Sequence, residues 1–316
     1  MRTIYAGVDL GGTNIKVGLV TEDAELIHRS SLRTRAHEGP EAVAGRICRG
    51  LTQCAREADV DPGDLAGVGM GSPGTIDRHS GVVTFSPNLP GWRDVPLRRL
   101  VQEATGLPCA LENDANAAAL AEQWVGAGRE ASSLVLFTLG TGIGGGIVLD
   151  DRVWHGANGV AGEIGHMSIN PDGPLCGCGN RGCIEAYASA TAMVRRLREA
   201  VGAGAETPLA SELEQLTARR IHEAAVEGDA VAAENIAQTG RYLGVAVSNI
   251  MHALNPRVIA FSGGMTAAGE MLLAPLRDEI ARRTMEDSRR DVKICLGQLP
   301  ETAGIIGAAR SFMMDR

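Results

Sequence analysis

Apolar positions along this chain recur in two alternating periods. Period-two or unbroken aliphatic runs predict strands over residues 3–10, 15–20 and 25–32. Helical spacing follows over 40–58, with Pro40 near its start, where a missing N–H costs nothing. A strand over 65–70 ends in Gly71-Ser72-Pro73-Gly74, and two short extended pieces precede a helix over 95–105. A short extended piece at 109–111 leads into an alanine-rich helix over 115–125. The opening pattern then returns: a strand over 133–139, a glycine loop over 140–146 and a strand over 147–149. Helices follow over 184–200, 217–227 and 229–254. A strand at 257–261 meets Ser262-Gly263-Gly264 and another helix, and a strand at 291–296 precedes a helix at 303–314.

A strand–Gly/Thr loop–strand unit thus occurs twice, about 130 residues apart, as in a duplicated α/β half. Alternating strands and helices predict an α/β protein. Two lobes with a cleft between them are expected: residues 1–114, and residues 115–302, with the helix at 303–316 packing back on the first. The 229–254 helix fits a core or a dimer contact, and a homodimer or dimer of dimers is expected.

Composition narrows the partners. The chain has 316 residues, 44% hydrophobic and 22% charged, enough to bury a core. Its net charge of −8 argues against a general nucleic-acid binder. The uncharged stretch 131–149 is too rich in glycine for a membrane helix, and no apolar leader precedes Asp9. A cytoplasmic protein without membrane partners is expected, with its seven cysteines as thiols or metal ligands.

Gly140-x-Gly142-x-x-Gly145 spells the dinucleotide fingerprint, but β-branched residues follow it where that mechanism needs a helix N-terminus. A Gly-Gly-Thr hairpin can still hold phosphate, because backbone N–H groups converge on an anion unobstructed by Cβ. Gly11, Gly12, Thr13 and Asn14 form one such loop, and Gly140, Thr141 and Gly142 the other. Asp9 is placed to order Mg²⁺ and its waters, and Lys16 adds a positive charge. Cys176-x-Cys178-x₄-Cys183, preceded by His166, supplies three thiolates and an imidazole among glycines. That set suits tetrahedral Zn²⁺, and four protein ligands close its shell, so the zinc is expected to be structural.

Asp9-Leu10-Gly11-Gly12-Thr13-Asn14, Glu112-Asn113-Asp114-Ala115-Asn116, the 140–146 loop and the 176–183 knot occur in that order. On these motifs nearly the whole chain resembles a sugar kinase of the ROK family, most like the bacterial glucokinases. The resemblance implies the two-lobed actin/ribonuclease-H-like ATPase fold, with ATP and a hexose in the interdomain cleft. It supports zinc at His166, Cys176, Cys178 and Cys183. It makes Asp114, read locally as the N-cap of the 115–125 helix, the base that deprotonates the sugar 6-hydroxyl. Asn113 would hold a neighbouring hydroxyl, and Gly74 and Asn88 would face the sugar. Glu163, His166 and Glu185 would clamp further hydroxyls, braced by the zinc knot. Gly263 and Gly264 would let adenosine lie close to backbone.

Within the family, kinases of N-acetylmannosamine or N-acetylglucosamine share the hydroxyl-binding residues, and polyphosphate is an alternative donor. A sugar-responsive repressor is disfavoured, since Asp9 of the phosphate loop is the ninth residue and leaves no room for a preceding DNA-binding domain. An ATPase without a sugar is disfavoured by the group at Glu163, His166 and Glu185.

Overall fold

The computed structural model describes residues 2–315. In chain order the elements are β1 (Ile4–Leu10), β2 (Asn14–Thr21), β3 (Leu26–Arg33), α1 (Pro40–Glu57), β4 (Val68–Ser72), β5 (Thr75–Asp77), β6 (Val82–Phe85), β7 (Arg93–Val95), α2 (Leu97–Thr105), β8 (Cys109–Asn113), α3 (Asp114–Val125), β9 (Leu134–Leu139), β10 (Ile143–Leu149), β11 (Arg152–Val153), α4 (Glu185–Ala188), α5 (Ala190–Gly202), α6 (Ala218–Val226), α7 (Ala230–Leu254), β12 (Val258–Ser262), α8 (Glu270–Arg283), α9 (Glu286–Arg289), β13 (Lys293–Leu296) and α10 (Ala303–Met314). The protein is α/β. It divides into two compact units: residues 1–134, 146–162 and 297–316 form unit 1, and residues 135–145 and 163–296 form unit 2. Sequence reasoning set the first boundary at residue 114, before α3; the contacts group α3 with unit 1.

Unit 1 is built on a sheet of order β3-β2-β1-β4-β8. β1 and β2 pair antiparallel through the Gly11-Gly12-Thr13 turn, and β4 and β8 extend the sheet in parallel. β4 is buried at every position, as a strand covered on both faces must be, whereas the edge strand β3 alternates half-buried and exposed. α1 buries Val43, Ala44, Ile47, Leu51, Cys54 and Ala55 at helical spacing against β2 and β3. Full burial stabilises each of the larger ones by about 1.5–3 kcal/mol. α10 packs against β1, β4 and α3. It comes so close that a Cβ at Gly69 would overlap the carbonyl of Ala308. The three-stranded sheet β5-β6-β7 belongs to the same unit. Two short extended pieces were expected there; the third, β7, is only three residues long and shows no period.

The second five-stranded sheet, β11-β10-β9-β12-β13, repeats the layout of a glycine-turn hairpin flanked by a further edge strand and by parallel strands. β10 starts at Ile143 rather than Ile147, because Gly144, Gly145 and Gly146 are strand rather than loop. Within unit 2, α7 packs against α5, α6 and α8 and buries a full face, so it is core. Asp229 caps it at one end and Asn255, at φ 42°, ends it. The helix expected over 184–200 is two helices, since Ser189 leaves the first and caps the second by accepting from Ala192 N–H. No helix among the described residues is long and apolar enough to cross a membrane.

Candidate active site

In unit 1 the first glycine loop is held from both sides. Gly11 N–H donates to Asn14 O at 2.9 Å. Thr34 donates its hydroxyl to Gly11 O at 2.6 Å and its N–H to Thr13 O at 2.9 Å. Gly12, Thr13 and Asn14 are left exposed at the tip. The β1–β2 register sets Asp9 opposite Lys16, and Lys16 Nζ stands 3.7 Å from Asp9 Oδ2. Burial pushes the Asp9 pKa above the ordinary aspartate value, and the ammonium of Lys16 offsets this only in part. A Cβ on Gly304, at the start of α10, would stand 2.6 Å from Asp9 Cγ, so the carboxylate has its place only because that residue is glycine.

Asp114 is the first residue of α3, and the cap is Asn113: its Oδ1 accepts from Ala115 N–H at 2.9 Å and Asn116 N–H at 3.1 Å. The residue expected as cap is therefore one position late. Asp114 Oδ1 accepts from Ala115 N–H at 2.9 Å. Asn113 Nδ2 donates to Gly74 O at 3.2 Å, which ties the predicted sugar-facing residues Gly74, Asn113 and Asp114 into one cluster. Asn88 is exposed, and its carbonyl lies against Gly12.

In unit 2 the second glycine loop closes through Gly140 N–H to Gly142 O at 3.0 Å. The start of α5 holds it, with Ala190 N–H donating to Gly140 O and the Thr191 hydroxyl to Thr141 O. Glu185 Oε2 accepts from Ile143 N–H at 2.9 Å, in space that a Cβ on Gly142 would fill. Glu185 Oε1 lies 3.6 Å from Cys176 Sγ. Glu185 thus joins the glycine loop to the cysteine knot. Gly263, at φ 97°, passes directly against the Leu139 carbonyl, and Gly264 beside it has open space where a side chain would be.

His166, Cys176, Cys178 and Cys183 converge, their ligand atoms all within 4.8 Å of one another. Cys176 Sγ stands 3.7 Å from His166 Nδ1, and Cys178 Sγ stands 3.7 Å from Cys183 Sγ. Ligands about 2.3 Å from one tetrahedral ion sit about 3.8 Å apart, so the donor set fits Zn²⁺ in number, chemistry and spacing. His166 turns its other nitrogen, Nε2, toward Glu163 Oε2 at 3.9 Å. Burial drives the thiol pKa of Cys176 up to about 12, whereas backbone donation lowers that of exposed Cys178.

Sequence reasoning missed two buried acids. Glu122, fully buried in α3, accepts from the N–H groups of Ala127, Gln298 and Leu299 at 2.9–3.0 Å and so pins the chain entering α10. Glu112 lies buried at the end of β8. No local signal marks them, because each follows an apolar run but is itself followed by polar residues, Asn113-Asp114 and Gln123.

Two five-stranded sheets each carry a glycine-turn hairpin, and beside them stand an acid at the start of a helix and a His/Cys₃ knot. The family model described as "ROK family" matches residues 5–313, and the chain belongs to that family. It is 41% identical over 306 residues to a protein named glucokinase from Thermotoga maritima, covering 96% of this chain and 95% of that one. It is 38% identical to a glucokinase from Halalkalibacterium halodurans, covering 96% and 93%. Among solved structures, a ROK family glucokinase from Streptomyces griseus, in complex with glucose and AMPPNP, matches with a TM-score of 0.82. That pair shares 34% identity over 98% of each chain.

Proposed function

We propose that this chain is an ATP-dependent hexokinase that transfers the γ-phosphoryl group to the 6-hydroxyl of glucose. The observation that carries the reading is 41% identity, over nearly the whole of both chains, to a protein named glucokinase. Asp114 is the general base: it takes the 6-hydroxyl proton as that oxygen forms its bond to the γ-phosphorus and the bond to the ADP oxygen breaks. Its place at the start of α3 favours the ionised, proton-accepting form. Asn113, Gly74 and Asn88 orient the sugar. Glu163, Glu185 and His166 Nε2 accept from or donate to its remaining hydroxyls. Glu185 does so through whatever acceptor capacity its bond to Ile143 N–H leaves.

The loops Gly11–Asn14 and Gly140–Gly142 bind phosphate through backbone N–H groups, with Lys16 adding charge, and Gly263 and Gly264 admit the adenosine. Asp9 is the acid suited to Mg²⁺, which when bound would neutralise phosphate charge. The His/Cys₃ knot would hold zinc as a brace, keeping His166 Nδ1 on the metal and Nε2 turned outward.

The test is ADP release with saturating ATP across glucose, mannose, fructose, N-acetylglucosamine and N-acetylmannosamine. Glucose is expected to give the highest kcat/KM, by about tenfold or more over the N-acetylated sugars, since an acetamido group must be fitted at C2. A leading N-acetylated sugar would overturn the choice of glucose. ADP release independent of any sugar would overturn the kinase reading.

A further inference from the structure

Glu112 stands one residue before Asn113 and two before Asp114, and only 2% of it is exposed. A carboxylate so far from water needs full pairing, and unit 1 supplies it. Oε1 accepts from Asn113 N–H at 2.9 Å and from Asn116 Nδ2 at 3.1 Å. Oε2 meets Arg78 Nε at 3.0 Å and His155 Nε2 at 2.8 Å. Arg78, just after β5, donates a second nitrogen to Asp315 Oδ1 at 2.6 Å. His155 arrives from the segment after β11.

The two Oε1 partners flank Asp114 in sequence, one a residue before it and one two residues after. Asn113 in turn caps α3 with its oxygen and holds Gly74 with its nitrogen. Any movement of the Glu112 carboxylate therefore passes to both sides of the turn that carries Asp114. A buried ion cluster of this kind is weak evidence for stability, because apolar residues fill such a space as well or better. Its use is directional: two fixed acceptor directions toward the turn, and the Arg78 guanidinium and His155 imidazole from distant segments, which stop the carboxylate rotating away. Asp114 must meet one hydroxyl within hydrogen-bond reach, and an error of about 1 Å can cost about 100-fold in rate.

We propose that Glu112, clamped by Arg78 and His155, is a positioning residue that sets the aim of the Asp114 carboxylate. The proposal rests on the reading of Asp114 as the base. The test uses the full chain, with steady-state kinetics for both substrates and thermal melts of each variant. Glu112→Ala is expected to lower kcat about 10- to 100-fold while leaving KM for glucose and ATP within about threefold. Glu112→Gln, which keeps an acceptor for Asn113 and Asn116, is expected to recover part of that loss. A purely structural role would instead lower activity in proportion to the unfolded fraction.

Should Glu112→Ala fail to fold, Arg78→Met and His155→Gln decide the matter, since both side chains reach solvent. Each is expected to lower kcat about three- to tenfold with KM held. Folded Arg78→Met and His155→Gln proteins with unchanged kcat would overturn the proposal, as would a rise in KM alone. Asp114→Asn separates the two readings. Near-normal turnover in that variant removes the base itself. An inactive Asp114→Asn beside unaffected clamp variants removes only the clamp.

Discussion

Asp9 illustrates a residue kept against the interest of stability. Burial against α10 raises its pKa in the folded chain, and Lys16 compensates only in part. The unfolded chain, with the lower pKa, gives up the proton first as pH rises. Between the two pKa values the folded state therefore holds more proton, and stability falls with rising pH. Above both values the ionised Asp9 is a standing cost, which disappears on acidification below the unfolded value of about 3.9. Asp9→Asn is accordingly expected to melt a few degrees higher than the parent at pH 7, with the gap narrowing as pH falls toward the unfolded value. The same variant should lose turnover. A variant that melts lower at pH 7 would show that the carboxylate is instead held favourably. At Glu112 and Glu122, by contrast, backbone amides or basic side chains meet both carboxylate oxygens. His155 lies 43 residues from Glu112, and Gln298 lies 176 residues from Glu122, so no local pattern announces either burial.

At the scale of elements, what the sequence revealed follows from punctuation. Gly11-Gly12-Thr13 and Gly140-Thr141-Gly142 separate apolar runs of strand length, so both hairpins were legible, and with them the repeated strand–loop–strand unit, though not the sheet order. Where one residue type serves two roles, legibility ended. Asn113 and Asp114 are both good caps, and only the dihedrals of β8 choose between them. Ser189 breaks a helix that apolar spacing alone carries straight through. The cysteine knot was legible because metal-ligand spacing is local. It is also joined to the second glycine loop of its own unit, since Glu185 touches both Cys176 and the Ile143 amide. Removing the ion should therefore loosen the glycine loop as well as the knot. The purified chain is expected to carry about one zinc, and metal-stripped chain or Cys178→Ser should melt about 5 °C or more lower. KM for ATP should rise in parallel. Metal-free protein with unchanged melting and kinetics would reject the brace.

For the molecule as a whole, charge decides between the two phosphoryl donors that the loops themselves admit. A long polyphosphate needs a continuous cationic track, because each further phosphate repels an acidic surface unless a cation meets it. This chain has 30 Lys and Arg against 38 Asp and Glu. Along α6 and α8 of unit 2, acids are interleaved with the arginines. Arg219 pairs with Glu223, and Arg220 with both Glu212 and Glu227. Arg277 meets Glu270, Arg282 and Arg283 share Glu279, and Arg290 meets Asp287. A polyanion laid along α6 or α8 would have to displace these carboxylates one by one. A single triphosphate asks only for a few local donors, such as the backbone N–H groups of a glycine loop and one ammonium. At equal phosphate concentration and about 0.15 M salt, where surface fields reach only about 8 Å, polyphosphate is expected to support less than about 1% of the ATP rate. The measurement is glucose 6-phosphate formation with each donor, repeated at low ionic strength. Polyphosphate turnover approaching that with ATP in physiological salt would mean that a cationic path exists despite the paired arginines, and the electrostatic argument would fail.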